Sequence, residues 1–192
     1  METGIEGVGP DDNWSAMIFT RVLPGSEPLT RDQLLGWTGL STGQHIPLGH
    51  VFIIERHKRD PVWKMPAGHK QENEKPLGTA MRELAGETGI RLPPEAFSYC
   101  RKWRRESNYN GQYRWWWDLL FVALMRESDC QWMNQLHDQN EGEEPKYFTT
   151  AEFWDLVRTQ NFMPKHYRML ADSALVLPMG RDVNKIGRQQ TS

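Results

Sequence analysis

The chain has 192 residues, 38% apolar and 25% charged, with a formal net charge of −2. That supports one packed core and argues against wholesale disorder, while the small negative charge gives no global pull towards nucleic acid or acidic membranes. Two cysteines, Cys100 and Cys130, are too few for a disulfide framework. No run approaches the ~20 apolar residues of a spanning helix, so a soluble, cytoplasmic protein with no membrane association is the expectation.

Residues 1–14, rich in Gly, Asp and Glu around Pro10, read as a flexible N-terminal arm. Residues 15–178 read as a single domain and 179–192 as a flexible C-terminal tail. Residues 16–23 (AMIFTRVL) have strand composition and run into the turn signal Pro24-Gly25. Thr30 and Gln33 suggest a capping box for a short helix over 31–35, followed by loop to Pro47. Residues 50–55 (HVFIIE) read as a buried strand, and 61–65 (PVWKM) lead through Pro66-Ala67 into Gly68.

Residues 97–105 and 113–125 read as two strands. Asn110-Gly111, a hairpin-turn dipeptide, predicts that they pair antiparallel. Residues 127–144 are rich in carboxylates and read as a long loop. Thr149 and Glu152 form a second capping box, opening a helix to about residue 159. Pro164 starts another, with Tyr167, Leu170 and Leu175 among its apolar positions.

The most informative stretch is 68–90, GHKQENEKPLGTAMRELAGETGI. Lys75-Pro76 begins a helix, because proline in the first turn loses no intrahelical bond. Leu77, Ala80, Met81, Leu84, Ala85 and Thr88 recur at spacings of three and four, one buried stripe. Gly89 sits where a left-handed cap is wanted. Glu83 and Glu87 lie one turn apart beside the stripe, where two like charges repel by a few tenths of a kcal/mol, roughly. A divalent cation would remove that repulsion, and Mg²⁺ is commonly held by one or two carboxylates plus substrate phosphates. Taken alone, the pair would more simply be a solvated helix flank.

The stretch resembles the Nudix box, G-x5-E-x7-R-E-U-x-E-E-x-G-U, where U is aliphatic. Gly68, Glu74, Arg82, Glu83, Leu84, Glu87, Gly89 and Ile90 fall on its fixed positions, and the lead-in WKMPAG is similar to the family's usual approach. Gly86 departs from it, standing where the family has the first glutamate of its E-E pair. The resemblance implies an α/β fold, the Nudix-type α/β/α sandwich with a mixed β-sheet.

It also implies a hydrolase that cleaves a diphosphate linkage with Mg²⁺ or Mn²⁺. Glu83 and Glu87 would be metal ligands with the carbonyl of Ala67, and Glu83 is one candidate to activate water. Arg82 and Glu74 would pair to hold the loop against the helix, with Gly68 and Gly89 as structural support. A further carboxylate would come from a late loop, where Glu141, Glu143 and Glu144 are all candidates and Glu143 is the nominal choice.

For the substrate, strand alternation puts Tyr113, Trp115, Trp117, Leu119 and Phe121 on one face and Arg114, Trp116, Asp118, Leu120 and Val122 on the other. Trp115 is a candidate ring for base stacking; Arg101, Lys102, Arg104 and Arg105, with Trp103 interleaved, are candidate phosphate contacts, and so is His69. Core packing and a solvated sheet edge explain the same rings and cations. The first reading is a Mg²⁺-dependent hydrolase of a nucleoside diphosphate linked to another moiety. The second, prompted by Gly86, is a Nudix-like domain that binds a nucleotide or RNA with little turnover, RNA being the less favoured. A third is an interaction module using its aromatic surface. A homodimer is left open.

Overall fold

A computed structural model of the chain describes residues 5–23, 25, 27, 29–32, 51–56, 62–109, 111–131, 133 and 145–173. The strands are β1 (Asn13–Leu23), β2 (Val51–Arg56), β3 (Trp63–Lys64), β4 (Ala67–His69), β5 (Phe97–Tyr109), β6 (Gln112–Arg126) and β7 (Lys146–Thr149). The helices are α1 (Pro76–Thr88), α2 (Thr150–Arg158) and α3 (Pro164–Asp172), with short 3-10 turns at Pro94–Ala96 and Glu127–Cys130.

The described strands form one sheet in the order β3-β2-β1-β6-β5, with β4 added to β1 and β7 to β2. β1 runs parallel to β6 along its whole length, from Asn13↔Trp116 to Leu23↔Arg126, while the other pairings are antiparallel. The sheet is therefore mixed. β1 lies at its centre, which is why Trp14 to Phe19 are all buried rather than alternately exposed.

Side chains alternate across that sheet and build a core on each face. On one face Ala16, Ile18, Leu119, Phe121 and Met125 pack with Ala80 and Leu84 of α1. On the other, Met17, Phe19, Leu120 and Val122 pack with Phe153 and Val157 of α2 and Tyr167 and Leu170 of α3. Helices cover both faces, giving the expected α/β/α sandwich.

Local signals act as written in the chain. The capping box closes at α2, Thr149 Oγ1 accepting from the Glu152 amide while the Glu152 carboxylate accepts from the Thr149 amide. β5 and β6 form the expected antiparallel hairpin, with Gly111 at φ 79° in its turn. β5 runs on to Tyr109 and is interrupted by a bulge between Tyr99 and Arg101. β3 forms a strand of its own where a lead-in was expected.

Part of the stretch expected as an arm is packed. Ile5 is buried and Val8 lies against the α1-side core, because these two apolar side chains find cover there despite polar neighbours. Trp14 already belongs to β1. Of the helix expected over 31–35 only the first two residues are described, and Leu175 and the tail lie outside the described residues.

Candidate functional site

α1 begins at Pro76 and ends on Gly89, whose φ of 80° is left-handed and whose amide donates to Ala85 O at 2.9 Å. The side chains of Thr79, Glu83 and Glu87 recur every four residues and are buried together. Glu83 is 6% and Glu87 4% exposed. These carboxylates are thus not a solvated flank, and a buried charge needs partners.

Glu87 Oε1 accepts from Lys64 Nζ at 3.0 Å, and its Oε2 accepts from the Ala67 amide at 2.7 Å. Glu83 Oε1 accepts from Arg82 Nη1 at 2.5 Å. The Glu83 carboxylate rests against Gly68, where an added Cβ would stand 2.1 Å from Glu83 Cδ. Only glycine permits that approach, which accounts for the residue at the mouth of the box.

Arg82 joins loop to helix as the resemblance implied. Its Nε meets Glu74 Oε1 at 2.9 Å and its Nη2 meets Glu74 Oε2 at 3.0 Å, a bidentate pair, while Nη2 also donates to His69 O at 2.8 Å. Thr79 Oγ1 and the Gln71 amide donate to the same carboxylate, at 2.9 and 3.0 Å. Burial alone would raise the pKa of Glu74, but the Arg82, Gln71 and Thr79 donors outweigh it and hold the carboxyl below its ordinary value. Glu74 raises the pKa of Arg82 in turn.

A second group of charges lies on the α3 side of the sheet. Asp118 of β6, 2% exposed, takes Arg105 Nε on Oδ1 at 2.9 Å and Lys165 Nζ on Oδ2 at 2.8 Å. The His69 ring meets the edge of Trp116 with centroids 4.9 Å apart, and the Arg105 guanidinium lies 5.4 Å from the same Trp116 ring. Burial and then the charges of Arg105 and Lys165 push the pKa of His69 down.

Arg104 and Trp115 sit elsewhere. Arg104 lies 4.3 Å from the Trp115 centroid and 5.9 Å from that of Trp117, on the α1 side. Alternation along β6 separates them from Trp116, Asp118 and His69, so the candidate substrate contacts are not on one face. Trp115 is 55% and Tyr113 71% exposed.

Lys64, Asp118 and Lys165 were not singled out in the sequence, whereas Arg105 belongs to the basic run already named as able to approach phosphates. Lys64 and Glu87 are 23 residues apart, and no local pattern marks such a pair. Glu141, Glu143 and Glu144 lie outside the described residues. Among the described residues no three His, Cys, Asp or Glu side chains form a metal-holding group. The donor type nonetheless fits a hard divalent cation, because Glu83 and Glu87 bring buried carboxylate oxygens to the glycine-lined loop. A cleft of about 740 Å³ lies between residues 5–11, the box loop and the start of α1. It is lined by Trp14, Lys70 and Glu74 but not by Glu83 or Glu87.

The family model of the NUDIX domain matches residues 42–172, more than half of the chain. The chain belongs to the Nudix family. An RNA pyrophosphohydrolase of Wolbachia sp. subsp. Brugia malayi (strain TRS) is 32% identical to it over 90 residues, covering 39% of this chain and 53% of that protein. The chain thus spans about half of that relative's length.

Among solved Nudix structures, the NUDIX domain of Shewanella oneidensis NrtR complexed with ADP ribose aligns with a TM-score of 0.52 at 17% identity, covering 84% of both chains. A bifunctional NMN adenylyltransferase/ADP ribose pyrophosphatase from Francisella tularensis aligns at 0.53 and 12% identity, covering 87% of this chain and 42% of that one. These likenesses concern the Nudix fold. Among the described residues no helix is long and apolar enough to cross a membrane.

Proposed function

We propose that this Nudix chain is a pyrophosphohydrolase that uses Mg²⁺ or Mn²⁺ to cleave the diphosphate linkage of a nucleoside diphosphate joined to another moiety. The observation that carries this reading is the buried pair Glu83 and Glu87, held against Gly68 and Ala67 by Arg82, Lys64 and a backbone amide. Burying two carboxylates side by side is costly for a purely structural helix. It is the arrangement that a phosphate-directed metal site needs.

Glu83 and Glu87, with the Ala67 carbonyl, would hold the cation, which when bound neutralises phosphate oxygens and makes water a better nucleophile. Glu83 accepts the proton of the attacking water as its oxygen bonds to phosphorus and the bridging P–O bond breaks. Arg82 fixes the Glu83 carboxylate through Nη1 and ties it to Glu74 and His69 O, so the base keeps its aim. Gly86 leaves the box one carboxylate short, and a carboxylate of the late loop, Glu143 or its neighbours Glu141 and Glu144, would supply the missing oxygen ligand.

A second reading makes the 5′ end of RNA the diphosphate-bearing substrate. The name of the Wolbachia relative and the exposed Trp115 ring under Arg104, a stacking surface for a base, favour it. The test is release of a nucleoside monophosphate or inorganic phosphate from a panel of nucleoside diphosphate derivatives and 5′-triphosphorylated RNA, with Mg²⁺ or Mn²⁺. Nucleotide binding without release across the panel would leave a binding domain in place of an enzyme.

A further inference from the structure

Beside the box lies a cluster whose chemistry the hydrolytic reading does not use. Asp118 is buried and spends one oxygen on Arg105 Nε and the other on Lys165 Nζ, at 2.9 and 2.8 Å. One carboxylate thus orients two cations contributed by different elements, Arg105 from β5 and Lys165 from the first turn of α3. The arithmetic of charge leaves the group net positive.

Its donors are also unspent. Among the described residues Arg105 gives a hydrogen bond to Asp118 through Nε alone, which leaves its terminal NH₂ groups for another acceptor. Among the same residues Lys165 pairs with Asp118 only, and its side chain is 44% exposed. The Nε1 of Trp116 is buried and has no hydrogen-bond partner among the described residues. An unpaired indole N–H shielded from water is unfavourable, and an acceptor arriving beside Arg105 would relieve it.

Position supplies the rest. The Trp116 ring touches His69, the residue after Gly68, whose missing Cβ makes room for the Glu83 carboxylate. His69 O is itself held by Arg82. The box carboxylates therefore meet β4 at Gly68 from the α1 side, and the donor cluster meets it one residue on, at His69, from the α3 side.

We propose that Arg105, Lys165 and the Trp116 indole N–H, set in place by Asp118, form an anion subsite that takes a phosphate group of the substrate next to the box carboxylates. The identity of the ligand as a phosphate rests on the hydrolase reading; the presence of an anion site does not. Asp118 is a positioning residue here. Arg105 and Lys165 contact the anion directly.

The test is calorimetric titration of the full chain with inorganic pyrophosphate in EDTA, so that no metal contributes, with tryptophan fluorescence read in parallel. Lys165→Ala and Arg105→Ala should each weaken binding about tenfold or more. Asp118→Asn, which removes the carboxylate that holds both cations in place, should weaken it as well. Trp116→Phe should abolish the fluorescence change. A merely structural salt bridge predicts that Asp118→Asn alters the melting temperature and leaves pyrophosphate affinity alone, and that result would overturn the proposal. Absence of binding to the wild type, or unchanged binding in a folded Lys165→Ala, would do the same. A panel without turnover but with this pattern of pyrophosphate binding would sink the hydrolase reading only. Normal turnover with unaltered affinity in Arg105→Ala and Lys165→Ala would sink the subsite only.

Discussion

Replacing Lys64 by methionine tests the electrostatics of the box directly. The Lys64 and Glu87 side chains are 10% and 5% exposed, with Nζ and Oε1 3.0 Å apart. At an effective dielectric of about 20, two unit charges at that separation attract by roughly 5–6 kcal/mol before desolvation is counted. Desolvation offsets much of that, so the pair adds little over an apolar pair. Removing one partner is different, because Glu87 stays buried with less compensation for its charge; that costs up to about 3–5 kcal/mol. Urea denaturation in EDTA should show a loss of that size for Lys64→Met. Lys64→Met/Glu87→Met should recover most of it. Adding Mg²⁺ should restore Lys64→Met by more than it stabilises the wild type, since ligand binding stabilises by RT ln(1 + [L]/Kd) and the ammonium no longer competes. A Lys64→Met protein within about 1 kcal/mol of wild type, or a double mutant as unstable as the sum of the singles, would refute the reasoning.

Gly68→Ala would put a Cβ 2.1 Å from Glu83 Cδ, so the carboxylate must retreat by more than an ångström. The expected result is a fall of about 100-fold in kcat with a folded protein, and near-normal turnover would contradict the cradle. Gly86→Glu adds the missing box carboxylate and should raise Mg²⁺ affinity and helix stability together, the latter by about 0.5–1 kcal/mol; an unaltered Mg²⁺ titration counts against the missing-ligand argument. Glu74 has a depressed pKa in the folded protein, so its contribution is present above the ordinary value of 4.5 and is lost as pH falls through the folded value. Glu74→Gln should flatten that acid limb of stability, and an identical pH profile would show that Arg82 does not depend on it.

The elements that depend on neighbours in sequence were legible. Pro76 and Gly89 bound α1, Thr149 and Glu152 cap α2, and Gly111 sits left-handed in the hairpin turn, because each acts within a few residues of itself. Alternation also divided β6 correctly, with Leu119 and Phe121 in one core and Leu120 and Val122 in the other. What alternation could not tell was which face carries the box loop. That depends on β4 adding to β1 and on β1 lying parallel to a strand about 100 residues later. Alternation alone accordingly gave no ground for separating Arg104 from Arg105 or Trp115 from Trp116. Glu83 and Glu87 were recognised from the spacing of the box, but their burial and the Lys64 partner follow from tertiary packing. Ile5 was hidden for a similar reason, since one apolar residue in a polar stretch has no period to betray it.

The central claim is that Glu83 and Glu87 belong to a diphosphate-cleaving site. The most direct measurement is monophosphate release from the substrate panel with Mg²⁺, made side by side on wild type and Glu87→Gln. The account predicts metal-dependent release by the wild type from at least one compound, abolished by EDTA and lowered by about 100-fold or more in a folded Glu87→Gln. Equal rates in the two proteins would contradict it.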